Sequence, residues 1–260
     1  MSWNAMRDVL SIATLDTLFM VWWSTVWAVI GGLPIGILLV LTGPGRQLQN
    51  SPVNKVLGAI VNIGRSIPFL ILIIALIPFT RYLIGTASGP SAAVVPLAIG
   101  AIPFFARLVE TAVREVDGGL VEAAQSMGGG TWTIIFKVLL PQALPSLIAG
   151  LVNTIVTLIS YSAMAGAVGA GGLGSVAITY GQQRNDMRFV GVTVVLIVII
   201  VTVIQLIGDL VVRRLSARGS RASAPVRLLK SPKSRTAAPD PEPEARADTA
   251  KVRETADEAA

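Results

Sequence analysis

The sequence predicts an all-α integral membrane protein of about five transmembrane helices, followed by a disordered, charged C-terminal tail. Three observations carry that expectation. Of 260 residues, 53% are hydrophobic and only 14% are charged, whereas soluble domains carry about 25% charged residues. The apolar residues fall in blocks long enough to cross a hydrocarbon core about 30 Å thick, which takes roughly 20 residues of helix. After Leu215 the composition changes abruptly to Ala, Pro, Ser, Arg and Glu. The expected organisation is a transmembrane domain over 1–215 and a tail over 216–260.

Taken in order, the first span is expected at about 16–42, with Trp22, Trp23 and Trp27 near its start. It follows the acids Asp8 and Asp16, is longer than the apolar core of a signal peptide, and precedes no A-x-A site. No removable signal peptide is therefore expected. The second span is expected at about 54–80, the third at about 90–113, the fourth at about 142–168 and the fifth at about 189–212. Pro34, Pro68, Pro78, Pro96, Pro103 and Pro145 interrupt these segments, with Gly31, Gly32, Gly36, Gly64 and Gly100 nearby. Proline in a spanning helix frees a carbonyl that must find another partner, so such breaks sit against protein or a wet cavity. Small residues let helices approach closely. Close packing with tolerated kinks explains most of these positions singly; together they suggest helices that bend or move.

Orientation follows from the basic residues. Arg46 and Lys55, Arg114 and Lys137, and Arg213, Arg214, Arg218 and Arg221 lie in one set of loops and outweigh Arg7, Arg81, Arg184 and Arg188 in the other. The positive-inside rule then places the N-terminus outside, and the loop 114–141 and the C-terminus in the cytosol. The tail has too little apolar content to offset its ordering entropy. From Arg213 to Arg235 there are eight basic residues and no acid, while 240–260 holds seven acids and three bases. The basic half suits the anionic lipid of the inner leaflet; a solvated tail that enforces topology is the simpler role.

Several function classes are excluded by composition. The chain has no cysteine and no histidine, which removes disulfides, thiolate or imidazole metal sites, and Cys-His or Ser-His catalysis. With no paired intramembrane acids either, an intramembrane enzyme is set aside. The net charge of +6 comes from residues beside membrane segments and does not indicate nucleic-acid binding.

The most informative stretch is EAAQSMGGGTWTIIFKVLLP at 122–141. A mere connector needs only a handful of residues. Leu120, Ala123, Ala124 and Met127 recur at helical spacing, and Gly128-Gly129-Gly130 provides a stop, because glycine accepts the left-handed conformation a helix end needs. A second helix can begin at Thr131, with Ile134, Ile135, Val138 and Leu139 as its apolar residues, and run into Pro141. A short helix projecting into the cytosol can lay its alanine and methionine face in a groove on a partner. The alternative, a helix lying flat on lipid, prefers Lys, Arg and Trp around bulky apolar residues. Glu115, Asp117 and Glu122 argue against it.

Glu122-Ala123-Ala124, then Gly128, Val138 and Leu140-Pro141 at this spacing resemble the EAA motif of ABC importer permeases, with valine in place of the usual isoleucine. IVNIGRSIPF at 60–69, IPFTRYLIGT at 77–86, KVLLPQALPSL at 137–147 and YSAMAGAVGAGGLG at 161–174 extend the resemblance to the methionine-importer permease subunits, over roughly residues 12–215. The resemblance says nothing about the role of the tail beyond about 217.

The resemblance implies the type I ABC importer permease fold in a bacterial plasma (inner) membrane. It implies two copies of this chain, two copies of an ATPase subunit, and an extracytoplasmic binding protein or lipoprotein that delivers methionine in its L and D forms. Glu122, Ala123, Ala124, Gly128, Val138, Leu140 and Pro141 would couple the permease to the ATPase, seating the loop in a cleft of that subunit. ATP binding would close the ATPases, draw the loops inward and turn the pore outward; hydrolysis would reset it. No cofactor is expected on this chain, ATP and Mg being used by the partner. The sequence contains no G-x-x-x-x-G-K-[ST] phosphate loop, so it cannot hydrolyse ATP by that route.

Two further groups stand out. Arg65 lies ten residues from Lys55, about 15 Å along a helix, and an ionisable group at that depth calls for a partner or a wet cavity. Glu110 could be that partner. Alternatively Arg65 snorkels while Glu110 pairs with Arg107 or Arg114 at helical spacing, which is slightly favoured. Ser160, Tyr161, Ser162 and Met164 offer hydroxyls and a flexible thioether. They suit a pore or gate and equally a packed helix interface; the resemblance favours the pore. Gly166–Gly174 is either a re-entrant turn near the outer gate or a supple loop. Alternatives to a methionine importer are the same mechanism with another amino acid or a quaternary-amine osmolyte as cargo, and a channel outside the ABC class.

Overall fold

The computed structural model describes the backbone of residues 3–46 and 48–220 and the side chains of 6–46 and 48–216. The tail from 221 onward, expected to be disordered, lies outside the described residues. Among the described residues, four helical stretches are long and apolar enough to cross a membrane, at Met6–Leu41, Pro90–Arg114, Thr131–Gly166 and Met187–Ser216, with mean hydropathies of 2.1, 2.0, 1.8 and 3.0.

The first of these belongs to α1 (Trp3–Leu41), a 39-residue helix about 58 Å long. It begins well before the expected span, because Met6, Leu10 and Ala13 pack against Leu173, Val176 and Phe189. A short link leads to α2 (Ser51–Ser66), where the Asn50 side chain accepts from the Val53 N–H and proline occupies the first turn, both ordinary helix-start signals. Asn54 Nδ2 donates to Leu39 O at 2.7 Å and to Thr42 Oγ1 at 3.1 Å. One of the orphan carbonyls at the end of α1 is thereby satisfied.

The second expected span is not a straight rod. After α2 the chain bends by 99° into α3 (Phe69–Ala75). Pro68 has no N–H to donate and forces Ile67 out of the helical region, to φ −78° and ψ 122°, as the residue before a proline generally is. A second proline, Pro78, starts α4 (Ile77–Ile84), which ends on Gly85. The pair α2 and α3 counts as a fifth span only if the broken element is read as one.

Helix α5 (Pro90–Arg114) runs through the centre, burying Leu97, Ala101, Phe105, Val109 and Val113 along one face. Its main neighbour is α1, and the two backbones touch. A Cβ on Gly36 would lie 2.5 Å from Ala106 O and 2.6 Å from Val109 Cβ. Only glycine permits that approach, which is the use small residues find between membrane helices. The Ser24 hydroxyl adds a bond to Val94 O at 3.4 Å across the same pair.

The chain then forms α6 (Gly118–Ser126), α7 (Thr131–Ile134), a π-helical turn at Ile135–Leu139, and α8 (Leu140–Gly166). The turn and α8 continue α7 without a break. Glycine-rich chain leads to α9 (Gly172–Val176), a second π-helical stretch at Ala177–Gln183, and α10 (Met187–Ser220). Helix α10 rests on the core through Ile197, Ile200, Val201 and Ile204. Val194, Val195, Val198, Ile199, Leu206 and Ile207 are exposed, an apolar face suited to hydrocarbon. It continues to Ser220, past the expected boundary at Leu215. Arginines are good helix formers and are favoured near a helix C-terminus.

Gly36→Val should lower the melting temperature of the purified protein markedly. Overpacking of a tight contact costs about 1–3 kcal/mol, and here the obstacle includes backbone. Gly191→Ala, where an added Cβ meets nothing within 4 Å, should leave the melting temperature unchanged in the same thermal scan.

Candidate functional site

The loop between α5 and α8 is built as a bracket. Asp117 opens α6, its Oδ1 accepting from Gly119 N at 2.8 Å. The helix stops after Ser126, and Gly128 takes φ +80°. Gly128 N and Gly129 N then donate to Gln125 O and Ala124 O at 2.8 and 2.9 Å. These bonds satisfy last-turn carbonyls in the way a glycine-terminated helix does. The chain reverses at Gly130 and α7 begins at Thr131.

Pro141 lies inside the continuous helix that follows. It cannot donate to Lys137 O, and its ring crowds that carbonyl. The π-helical turn at Ile135–Leu139 falls on the residues just before it, a common way for a helix to absorb such a defect. Val138 and Leu140 are half-buried there, and Pro141 is exposed.

One side of α6 is fixed to the body of the protein. Val121 and Ala124, one turn apart, are buried in the same core cluster as Ile134, Ile135, Leu139, Val109 and Val113. Ser146 Oγ donates to Glu115 Oε2 at 3.1 Å, tying the end of α5 to the first turns of α8. Ala124 is only 8% exposed, so it belongs to the inward face and not to the outward alanine and methionine face that its spacing suggested. At 3.6 residues per turn adjacent alanines point about 100° apart, and here the core takes Ala124 and leaves Ala123 exposed. The outward side carries Leu120, Glu122, Ala123 and Met127, with Met127 82% exposed. Trp132, 73% exposed, stacks on Phe136 with ring centroids 5.8 Å apart. These two line an apolar groove with Leu33, Ile37, Leu41 and Leu140.

Glu110 is 3% exposed; it accepts from Arg107 Nη1 at 2.6 Å and forms an ion pair with Arg114 Nη2 at 2.6 Å. Both partners sit on α5, three and four residues away. Arg65 is not brought to Glu110; among the described residues it has no ion-pair partner. It lies at the end of α2 and lines a cleft of about 180 Å³ with Gly64, Ile67, Phe69, Gly100, Phe104 and Tyr161.

The four hydroxyl and thioether residues of α8 do not share a face. Ser162 is buried, its Oγ donating to Ile159 O at 2.7 Å. Tyr161 is half-buried and stacks flat on Phe69, with centroids 4.4 Å apart. Ser160 and Met164 are exposed. They continue a stripe with Asn153 and Thr157 at helical spacing. The hydroxyls bond back to carbonyls within α8, Thr157 to Asn153 O at 2.9 Å and Ser160 to Val156 O at 3.4 Å. Asn153 is exposed at the midpoint of α8. Among the described residues its amide has no hydrogen-bond partner. A polar side chain at that depth calls for protein or water beside it. The signal was present in the sequence, as a lone amide at the centre of an apolar block.

A helical body in which a bracket is fixed to core helices, with the bracket's outer face exposed, fits the membrane component of a transporter. The chain belongs to the family of binding-protein-dependent transport system inner membrane components, whose family model matches residues 32–221. The channel reading is thereby set aside. The chain is 53% identical over 217 residues to the probable D-methionine transport system permease protein MetI of Vibrio cholerae, covering 83% of this chain and 96% of that one. It is 52% identical to the methionine import system permease protein MetP of Bacillus subtilis, covering 79% and 93%. A solved chain of the MetNI methionine ABC transporter, described in inward-facing conformations, superposes with a TM-score of 0.81 at 46% identity, covering 83% of this chain and 99% of that one.

Ala124→Leu should destabilise the protein by about 1–3 kcal/mol through overpacking, visible as a lower midpoint in thermal unfolding. Ala123→Leu, on the outward side of the same helix, should leave the midpoint within error.

Proposed function

We propose that this chain is the permease subunit of an ATP-driven methionine importer, and that residues 118–127 dock into the ATPase subunit that powers it. The observation that carries the reading is the two-sided construction of α6. Val121 and Ala124 hold it to the core, while Leu120, Glu122, Ala123 and Met127 face away from the protein. A partner pressing on that outer face moves α5 and α8 with it.

Two copies of the chain enclose the pathway. The unpaired Asn153, with Thr157, Ser160 and Met164 on one side of α8, supports this, because in hydrocarbon such a stripe needs either water or a second protein surface. An extracytoplasmic binding protein delivers methionine to the outer end. Two ATPase subunits bind ATP with Mg on the cytosolic side. The N-terminus faces outward and the loop and C-terminus face the cytosol, in keeping with the basic residues around α2, the loop and the end of α10. Methionine as cargo is supported by the relatives' printed functions, D-methionine for MetI and methionine for MetP; transport of both L and D forms is part of this reading.

The test is uptake of labelled L-methionine by cells lacking this chain, restored together with its ATPase. Glu122→Lys should abolish uptake while the protein stays in the membrane at the wild-type level. Unlabelled D-methionine should compete and glycine betaine should not. Transport indifferent to Glu122 would overturn the docking assignment, and dependence on Glu122 with betaine as the effective competitor would overturn the cargo.

A further inference from the structure

We propose that the cleft at the α2–α3 break is a transient binding site for the transported amino acid, with Arg65 taking its carboxylate and the aromatic wall taking its side chain. This rests on the methionine-importer reading and assigns a place within the permease where the cargo is recognised.

The position of the break is the first argument. Arg65 is the fifteenth residue of α2, so it stands about 21 Å along the helix from Ser51 at 1.5 Å per residue. The chain leaves helical geometry immediately afterwards, at Ile67 and Pro68. Irregular backbone at membrane depth persists only where it is buried in protein or lines a water-filled cavity. In secondary transporters, broken helices near the midplane hold the substrate site.

The guanidinium is the second. An arginine at such depth is costly unless it is paired or hydrated. The buried acid of α5, Glu110, is already held by Arg107 and Arg114 at 2.6 Å each. Among the described residues no other group bonds to Arg65. It is exposed and faces a cleft of mixed polar and apolar character. A planar five-donor fork without an anion is suited to accept a carboxylate in two parallel hydrogen bonds.

The aromatic lining is the third. Phe69 and Tyr161, stacked flat on each other, line the cleft together with Phe104, Ile67 and Leu72. A thioether gains from contact with aromatic rings. Gly64 and Gly100 also line the cleft, and there they let Pro103 and Leu72 approach closely, since an added Cβ would lie 2.9 Å from Pro103 Cγ and 3.2 Å from Leu72 Cδ2. The cleft volume, about 180 Å³, is below the ~300–1,000 Å³ of pockets for drug-sized ligands and is of amino-acid scale. The ligand class is a zwitterionic amino acid with an unbranched apolar side chain.

Because the chain contains no cysteine, one introduced thiol reports on the cleft. Ile67→Cys, in the transporter assembled with its ATPase, is treated with a small methanethiosulfonate, and modification of this chain is followed by mass. Occupancy slows modification by 1 + [L]/Kd, so L-methionine at about ten times its Kd should slow it about tenfold. L-Methioninol, which lacks the carboxylate, should give no protection. Adding Arg65→Gln should abolish protection by L-methionine, and Arg65→Lys should restore part of it. Equal protection by both ligands, or none by L-methionine, overturns the site. The methioninol comparison holds even if the Arg65 variants fail to fold. Wild-type complex is assayed for L-methionine uptake in parallel. Uptake without protection overturns the cleft alone, whereas absence of uptake overturns the importer reading on which it rests.

Discussion

In the hydrocarbon of a membrane, a peptide N–H or C=O without a partner costs several kcal/mol, and most of this structure can be derived from that constraint. It requires long continuous helices. It makes the side-chain hydroxyls of Thr25, Thr154 and Thr202 turn back onto carbonyls of their own helices. Where proline removes a donor, the defect is either absorbed, as in the π-helical turn before Pro141, or placed beside a cleft, as at Ile67 and Pro68. The two outcomes differ in consequence. An absorbed proline leaves a continuous lever from Thr131 to Gly166, whereas the exposed break gives a polar site inside an otherwise apolar body.

The same body is the route by which, on the proposed reading, force reaches the pathway. Helix α6 has only nine residues, too few for independent stability, and its inner residues Val121 and Ala124 are extensions of the core built on α5 and α8. The close approach of α1 and α5 at Gly36 makes those helices one unit. In the proposed coupling, a displacement imposed on the outer face of α6 is transmitted to α8, which carries both the Asn153 stripe and Tyr161 of the cleft.

The spans and the helix–turn–helix of the loop were legible because apolar run length, the glycine run at 128–130 and the helix start at Thr131 are local signals. What was not legible depended on direction in space. Hydropathy reads α2 and α3 as one segment, since an apolar run carries no record of a 99° bend. Ala123 and Ala124 are indistinguishable in spacing, and only the position of the core decides that Ala124 turns inward. Glu110 could pair with Arg65 or with its helical neighbours, and tertiary placement left Arg65 facing a cleft. Ser160, Tyr161, Ser162 and Met164 read as one group but point in different directions around α8, because consecutive helical residues are about 100° apart.

The central claim is that the docking bracket and the pathway helix move as one piece. The absence of native cysteine allows spin labels at Gln125→Cys on α6 and, in a second preparation, at Ser160→Cys on α8. Distances between the two copies would be measured by pulsed electron resonance in the assembled transporter, without nucleotide and with ATP trapped. The account predicts that ATP shifts both distance distributions. A shift at Gln125→Cys with an unchanged distribution at Ser160→Cys would contradict it, since the bracket would then be moving independently of the helix it is supposed to drive.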